Sequence, residues 1–171
     1  MGEMWLDLAA ARPPDGTASN GLPAITSYKG SNANPARFGL RASFDAAADQ
    51  HLWWTLRMPD DYASGGTLKF LWAANATANS CVWAASVGAV TAADADTYLE
   101  HAQATAASTT AATNTTEARR VNATSITLTM DSAAAGDFVS ICLYRDADNG
   151  SDTLSVAAEL LDGVSLVYTS S

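Results

Sequence analysis

The sequence predicts an all-β protein, an antiparallel two-sheet sandwich of jelly-roll type preceded by an extended N-terminal arm. Three observations lead there. Apolar and polar residues alternate with period two in segment after segment from Arg37 to Thr169. Turn-rich stretches separate about eight such segments at intervals of about 10 to 15 residues. No stretch carries the 3.6-residue periodicity of an amphipathic helix.

The first 36 residues read as the arm, because Pro13-Pro14-Asp15-Gly16, Asn20-Gly21, Leu22-Pro23, Lys29-Gly30 and Asn34-Pro35 interrupt the chain every few residues. Its apolar anchors are Trp5, Leu8, Ile25 and Tyr28. Residues 37–171 form the sandwich domain. Phe38–Phe44 alternates cleanly, and in His51–Met58 the residues Leu52, Trp54, Leu56 and Met58 share one face. A loop from Pro59 to Gly66 leads to Thr67–Ala74 and Ser80–Val90, and the short polar Asn75–Asn79 between them predicts a hairpin. In Gln103–Thr116, alanines favour helix and threonines favour strand, and the segment is read as strand plus turn. Ile126–Met130, Phe138–Arg145, Leu154–Leu161 and Val164–Thr169 complete the set.

Composition narrows the function. With 9 basic and 18 acidic residues the formal charge is −9, which opposes nucleic-acid binding, where clustered cations must displace counterions. The same charge opposes docking on an anionic membrane surface. The amino terminus has no basic n-region and is not read as a signal peptide. On that expectation Asn75-Ala76-Thr77 and the other glycosylation sequons are chance matches, and Cys81 and Cys142 are buried free thiols.

No motif demands catalysis. GxSxG and HExxH are missing, and His51 and His101 are the only imidazoles from which an acid–base relay could be built. The chain is expected to be no enzyme and to need no cofactor. Asp146-Ala147-Asp148-Asn149-Gly150-Ser151-Asp152 has the alternating oxygens of a calcium loop, but its glycine comes one residue early and Ala157 stands at the twelfth position. Asn149-Gly150 makes a hairpin turn the favoured reading, and Asp94-Ala95-Asp96 is a weaker ion candidate still. Of the five tryptophans, Trp72 and Trp83 are expected to pair as core anchors, whereas Trp53 points away from Trp54 and is left for a partner or ligand.

The stretch from Met58 to Ala76, and the pattern of Ala135-Gly136-Asp137, Tyr144-Arg145-Asp146, Ser151–Leu154 and Val167-Tyr168-Thr169, resemble small jelly-roll virion proteins of tailed bacteriophages. The resemblance covers Leu52 to Thr169 and implies a capsid decoration or cement protein. It would be made in the host cytoplasm and mounted on the capsid exterior, binding the major capsid protein and sister copies, as a homotrimer. Partner contacts are then expected from Trp5, Leu8, Ile25, Tyr28, Trp53 and Tyr62. The alternative is a carbohydrate-binding β-sandwich module, with Trp53 or Tyr62 exposed in a groove. A hydrolase would need His51 or His101 beside a carboxylate in a pocket.

Overall fold

The computed structural model describes residues 1–15, 21–31, 35–93, 95, 97 and 100–171. Among these residues eleven strands run in chain order: β1 (Gly2–Leu6), β2 (Ala24–Lys29), β3 (Phe38–Phe44), β4 (Gln50–Arg57), β5 (Tyr62–Ala74), β6 (Ser80–Val90), β7 (Ala107–Ala112), β8 (Asn122–Thr127), β9 (Phe138–Arg145), β10 (Ala158–Leu161) and β11 (Val164–Ser170). Among the described residues the only helical element is a single 3-10 turn, Leu8–Ala10, in which the Asp7 side chain accepts the Ala9 N–H.

All strand pairings are antiparallel, as the alternation requires. The smaller sheet has the order β4-β9-β6-β7. The larger has seven strands built around β5. One edge of β5 takes β8, and the other takes β10 and then β11, laid end to end. Leu160 faces Trp72 and Ser165 faces Lys69, so two extra residues are accommodated at Asp162-Gly163. Gly163 makes this kink with φ 144°, a backbone state that favours glycine. Outside β10 lie β3 and then β2, and outside β11 lies β1.

Side chains pointing between the sheets form one core. Trp83 of the smaller sheet is its centre, with edge-on ring contacts to Phe44 at 5.1 Å, Phe70 at 5.3 Å and Trp72 at 6.0 Å, all from the larger sheet. Trp72 and Trp83 are thus core anchors as expected, but they meet across the sandwich rather than along a hairpin. β5 and β6 belong to different sheets, and Asn75–Asn79 carries the chain from one to the other. The loop after β9 corrects a second expected hairpin in the same way, since β9 and β10 also lie in different sheets.

The described part of residues 1–36 is no separate arm. β1 pairs with β11 from Gly2↔Tyr168 to Leu6↔Val164, and β2 pairs with β3 from Ala24↔Ser43 to Lys29↔Phe38. Leu6 and Leu8 are buried in the core, and Trp54 Nε1 donates to the Asp7 carbonyl at 2.9 Å. Arg12 exchanges two backbone hydrogen bonds with Trp53, at 2.7 and 3.0 Å. These are edge strands of five and six residues, too short and too interrupted by turn residues for their alternation to register.

Cys81 and Cys142 are free and buried. Cys81 belongs to the core, whereas Cys142 lies between core residues Ile141 and Leu143 and points to the opposite face of β9. Burial pushes both thiols far above their ordinary range, so thiolate is scarce at neutral pH. Iodoacetamide at pH 8 is therefore expected to leave the native protein unmodified and to label both cysteines after denaturation, as read by intact mass.

Candidate functional site

Outward-facing residues of the larger sheet build an open groove. Trp5 is held on edge strand β1 between Met4, which packs on the core, and buried Leu6, so its indole faces the other way and is 71% exposed. Registered pairs continue the row across three strands: Trp5 opposite Ser165, Ser165 opposite Lys69, and Lys69 opposite Ser125. Beside it, exposed Leu71 lies opposite Ala123, and Gly163 lies 3.6 Å from the Leu71 side chain when given a Cβ. Serine, alanine and glycine between the large side chains leave a cavity of about 570 Å3 bounded by Glu3, Trp5, Lys69, Leu71, Ser125 and Asp162 among others. The groove thus has an aromatic wall, an aliphatic floor and polar groups of both charges at its rim.

The other residues singled out from the sequence are scattered. Leu8 is fully buried, and Tyr62, 6% exposed, packs on Tyr168 with ring centroids 5.7 Å apart, so neither is presented to a partner. Ile25 packs against the core, and Tyr28 is half-buried on β2. Trp53 does face away from buried Trp54, on the smaller sheet, but is itself half-buried. Its neighbour on that face, His51, stacks on Tyr144 at 4.7 Å, and burial holds the His51 imidazole below its ordinary pKa.

A histidine and a carboxylate do meet: His101 Nε2 lies 2.6 Å from Asp131 Oδ2. That oxygen also accepts the Ala89 N–H at 2.9 Å, so the pair ties the Met130–Asp131 turn and residue 101 to β6. Neither residue borders the groove.

Three carboxylates converge elsewhere. Oxygens of Asp49, Asp146 and Asp148 lie within 4.8 Å of one another, a set of hard donors of the type a divalent cation takes. Asp49 raises the Asp148 pKa by its like charge. Within the cluster, Asp49 accepts the Ala147 N–H at 2.7 Å and Asp146 accepts Asn149 Nδ2 at 2.9 Å. The third acid of the calcium-like string is spent differently: the Asp152 side chain is 1% exposed and receives two hydrogen bonds from Arg145, at 2.7 and 2.9 Å. Asp94 and Asp96 lie outside the described residues.

Sequence reasoning named Trp5 but placed it on an arm, and it missed Lys69, Leu71 and Asp162. The usable signal was the alternation of Glu3 and Trp5 with Met4 and Leu6, confined to a five-residue strand.

No protein-family model and no curated protein matches the chain. Among solved structures it is similar to the two xylan-binding domains, CBM22-1 and CBM22-2, of Xyn10C from Paenibacillus barcinonensis. CBM22-1 shares 10% identity over 96% of this chain and 89% of its own, with a TM-score of 0.51. CBM22-2 shares 12% identity over 98% of this chain and 99% of its own, with a TM-score of 0.50. At such identities the likeness shows the fold, a two-sheet antiparallel sandwich shared with carbohydrate-binding modules.

Proposed function

We propose that this chain is a non-catalytic carbohydrate-binding module whose glycan lies across the outer face of the larger sheet. The observation that carries the reading is Trp5, an indole 71% exposed on a rigid strand, facing a groove with Lys69, Glu3 and Asp162 at its rim. A pyranose ring presents a face of C–H groups that packs flat on an indole, while its equatorial hydroxyls reach sideways for charged and hydroxyl partners. The sandwich supplies a site built on strands, which hold the platform more firmly than loops do. Similarity of fold to xylan-binding domains agrees with this reading.

The capsid-decoration reading placed its contacts on the N-terminal arm and on Trp53 and Tyr62. With β1 and β2 in the sheet and Leu8 and Tyr62 in the core, that observation no longer supports it.

The test is calorimetric titration with a panel of xylo-, gluco-, galacto- and manno-oligosaccharides. At least one is expected to bind, and Trp5→Ala is expected to weaken it by about tenfold to a hundredfold, the loss of one stacked ring. Trp53→Ala should leave the affinity unchanged. Binding indifferent to Trp5, or no binding to any glycan beside a stable trimer in solution, would return the argument to a protein-adhesion role.

A further inference from the structure

A second cavity, of about 650 Å3, lies on the same outer face and differs sharply in charge from the rest of the molecule. Its lining includes Lys29, Arg37, Arg41 and Arg119, four of the nine basic residues of a chain whose formal charge is −9. A single carboxylate, Glu159, is among its walls, paired with Arg41 at 2.6 Å. Cations drawn from positions 29 to 119 are brought together by β2, β3 and the turn before β8. A concave site of net positive charge focuses its field into the cavity and selects anions from solution.

Some of the donors are already spent, since Arg119 Nε donates to Asn75 Oδ1 at 3.3 Å, and others remain. Arg41 spends Nη1 on Glu159, but its buried Nε has no hydrogen-bond acceptor among the described residues. Arg119 is fixed with φ 64° by its N–H on the Ala74 carbonyl at 2.7 Å, a backbone state that an arginine adopts only at a cost. Tyr28 supplies an aromatic wall. It lies opposite Gly39, and a Cβ on Gly39 would come within 2.6 Å of the Tyr28 hydroxyl, so the ring rests on the strand because the glycine leaves room.

The two cavities adjoin. Leu71 lines the first and Ala73 the second, two residues apart on β5, and Ala123 on β8 and Val121 just before that strand stand in the same relation. Two strand residues span about 7 Å, so one saccharide chain can lie on both.

We infer that the basic cavity is a subsite for an acidic saccharide, in which the arginines grip the carboxylate of a uronate unit beside Tyr28 while the same chain continues onto Trp5. Guanidinium forks match carboxylate geometry, which is the reason to expect three arginines here rather than lysines. The inference rests on the carbohydrate-binding reading and assigns the charge of its ligand.

The experiment is titration of the full chain with a hexagalacturonate, with its methyl ester, and with a heparin hexasaccharide. The free acid is expected to bind at least tenfold more tightly than the ester, and raising sodium chloride from 50 to 500 mM should erase most of that difference. Arg37→Gln combined with Arg119→Gln, both away from the core, should weaken the acid by about tenfold or more and leave the ester and the melting temperature unchanged. Equal binding of acid and ester, or an acid affinity indifferent to the double substitution, overturns the acidic subsite. Tighter binding of heparin than of the uronate overturns the carboxylate assignment. If neutral oligosaccharides bind through Trp5 while acid and ester remain equal, only this inference fails. If no saccharide binds at all, the function proposed above fails with it.

Discussion

Asp152→Asn is expected to destabilise the fold by about 3–5 kcal/mol, lowering the melting temperature by roughly 6 to 20 °C for a domain of this size. The reason is the environment of Arg145, whose side chain is fully buried. Its Nε and Nη2 hold both Asp152 oxygens, Nη1 donates to the Val156 carbonyl at 2.9 Å, and Nη2 also reaches the Leu154 carbonyl. Asp152 in turn accepts the Val82 N–H at 3.0 Å and the Leu154 N–H at 3.2 Å. The network therefore fastens the loop after β9 to β6, where the chain crosses between sheets. An asparagine keeps the shape but leaves a guanidinium buried without its counter-charge. Removing both charges together, as Arg145→Met with Asp152→Leu, should recover only part of the loss, because it removes the unpaired ion but leaves the Val82 N–H and the Val156 carbonyl without these partners. Urea unfolding of the two variants separates the cases, and a cost below about 1 kcal/mol for Asp152→Asn would mean that water reaches Arg145.

The same pair sets an acid limit. Burial alone would raise the Asp152 pKa, but the hydrogen bonds from Arg145 and from the Val82 and Leu154 amides outweigh it and hold the carboxyl below its usual range. A depressed folded-state pKa contributes stability that is complete above the unfolded value, about 3.9, and is lost as pH falls through the folded one. Stability should thus decline below pH of about 4, and the decline should be shallower in Asp152→Asn, which has already lost this contribution.

How far the fold was legible follows from where alternation is long and uninterrupted. Phe38–Phe44, Ser80–Val90 and Phe138–Arg145 are strands with the bounds the pattern predicts, because each exposes one face to the core for seven residues or more. Sheet membership was not legible. A short polar loop such as Asn75–Asn79 reverses the chain whether the next strand pairs with the last or stacks over it, and only the complete core decides between the two. β1 and β2 escaped because they are edges, held by backbone bonds to β11 and β3 more than by apolar side chains. The groove shared that fate, since Trp5 acquires a face only when β1 has a partner. The basic cavity was hidden for another reason: a net charge sums over the chain, and says nothing about Lys29, Arg37, Arg41 and Arg119 meeting in space.

Trp83 carries the second large effect. It is completely buried, and its ring touches Phe44, Phe70 and Trp72 edge-on, so one side chain of the smaller sheet holds three aromatic residues of the larger. Trp83→Ala removes the whole indole from a close-packed interior and is expected to cost about 3–5 kcal/mol, with a cavity at the centre of the sandwich. Trp83→Phe should be far milder than volume alone suggests. The indole Nε1 is buried without a hydrogen-bond partner among the described residues, and phenylalanine discards that unpaired donor while keeping an edge-on ring. A cost of about 1–2 kcal/mol is expected for the phenylalanine variant, with the near-ultraviolet circular dichroism of the aromatic cluster reduced. If Trp83→Phe is as damaging as Trp83→Ala, the Nε1 group has a partner in solution, such as a buried water, and contributes to stability rather than subtracting from it.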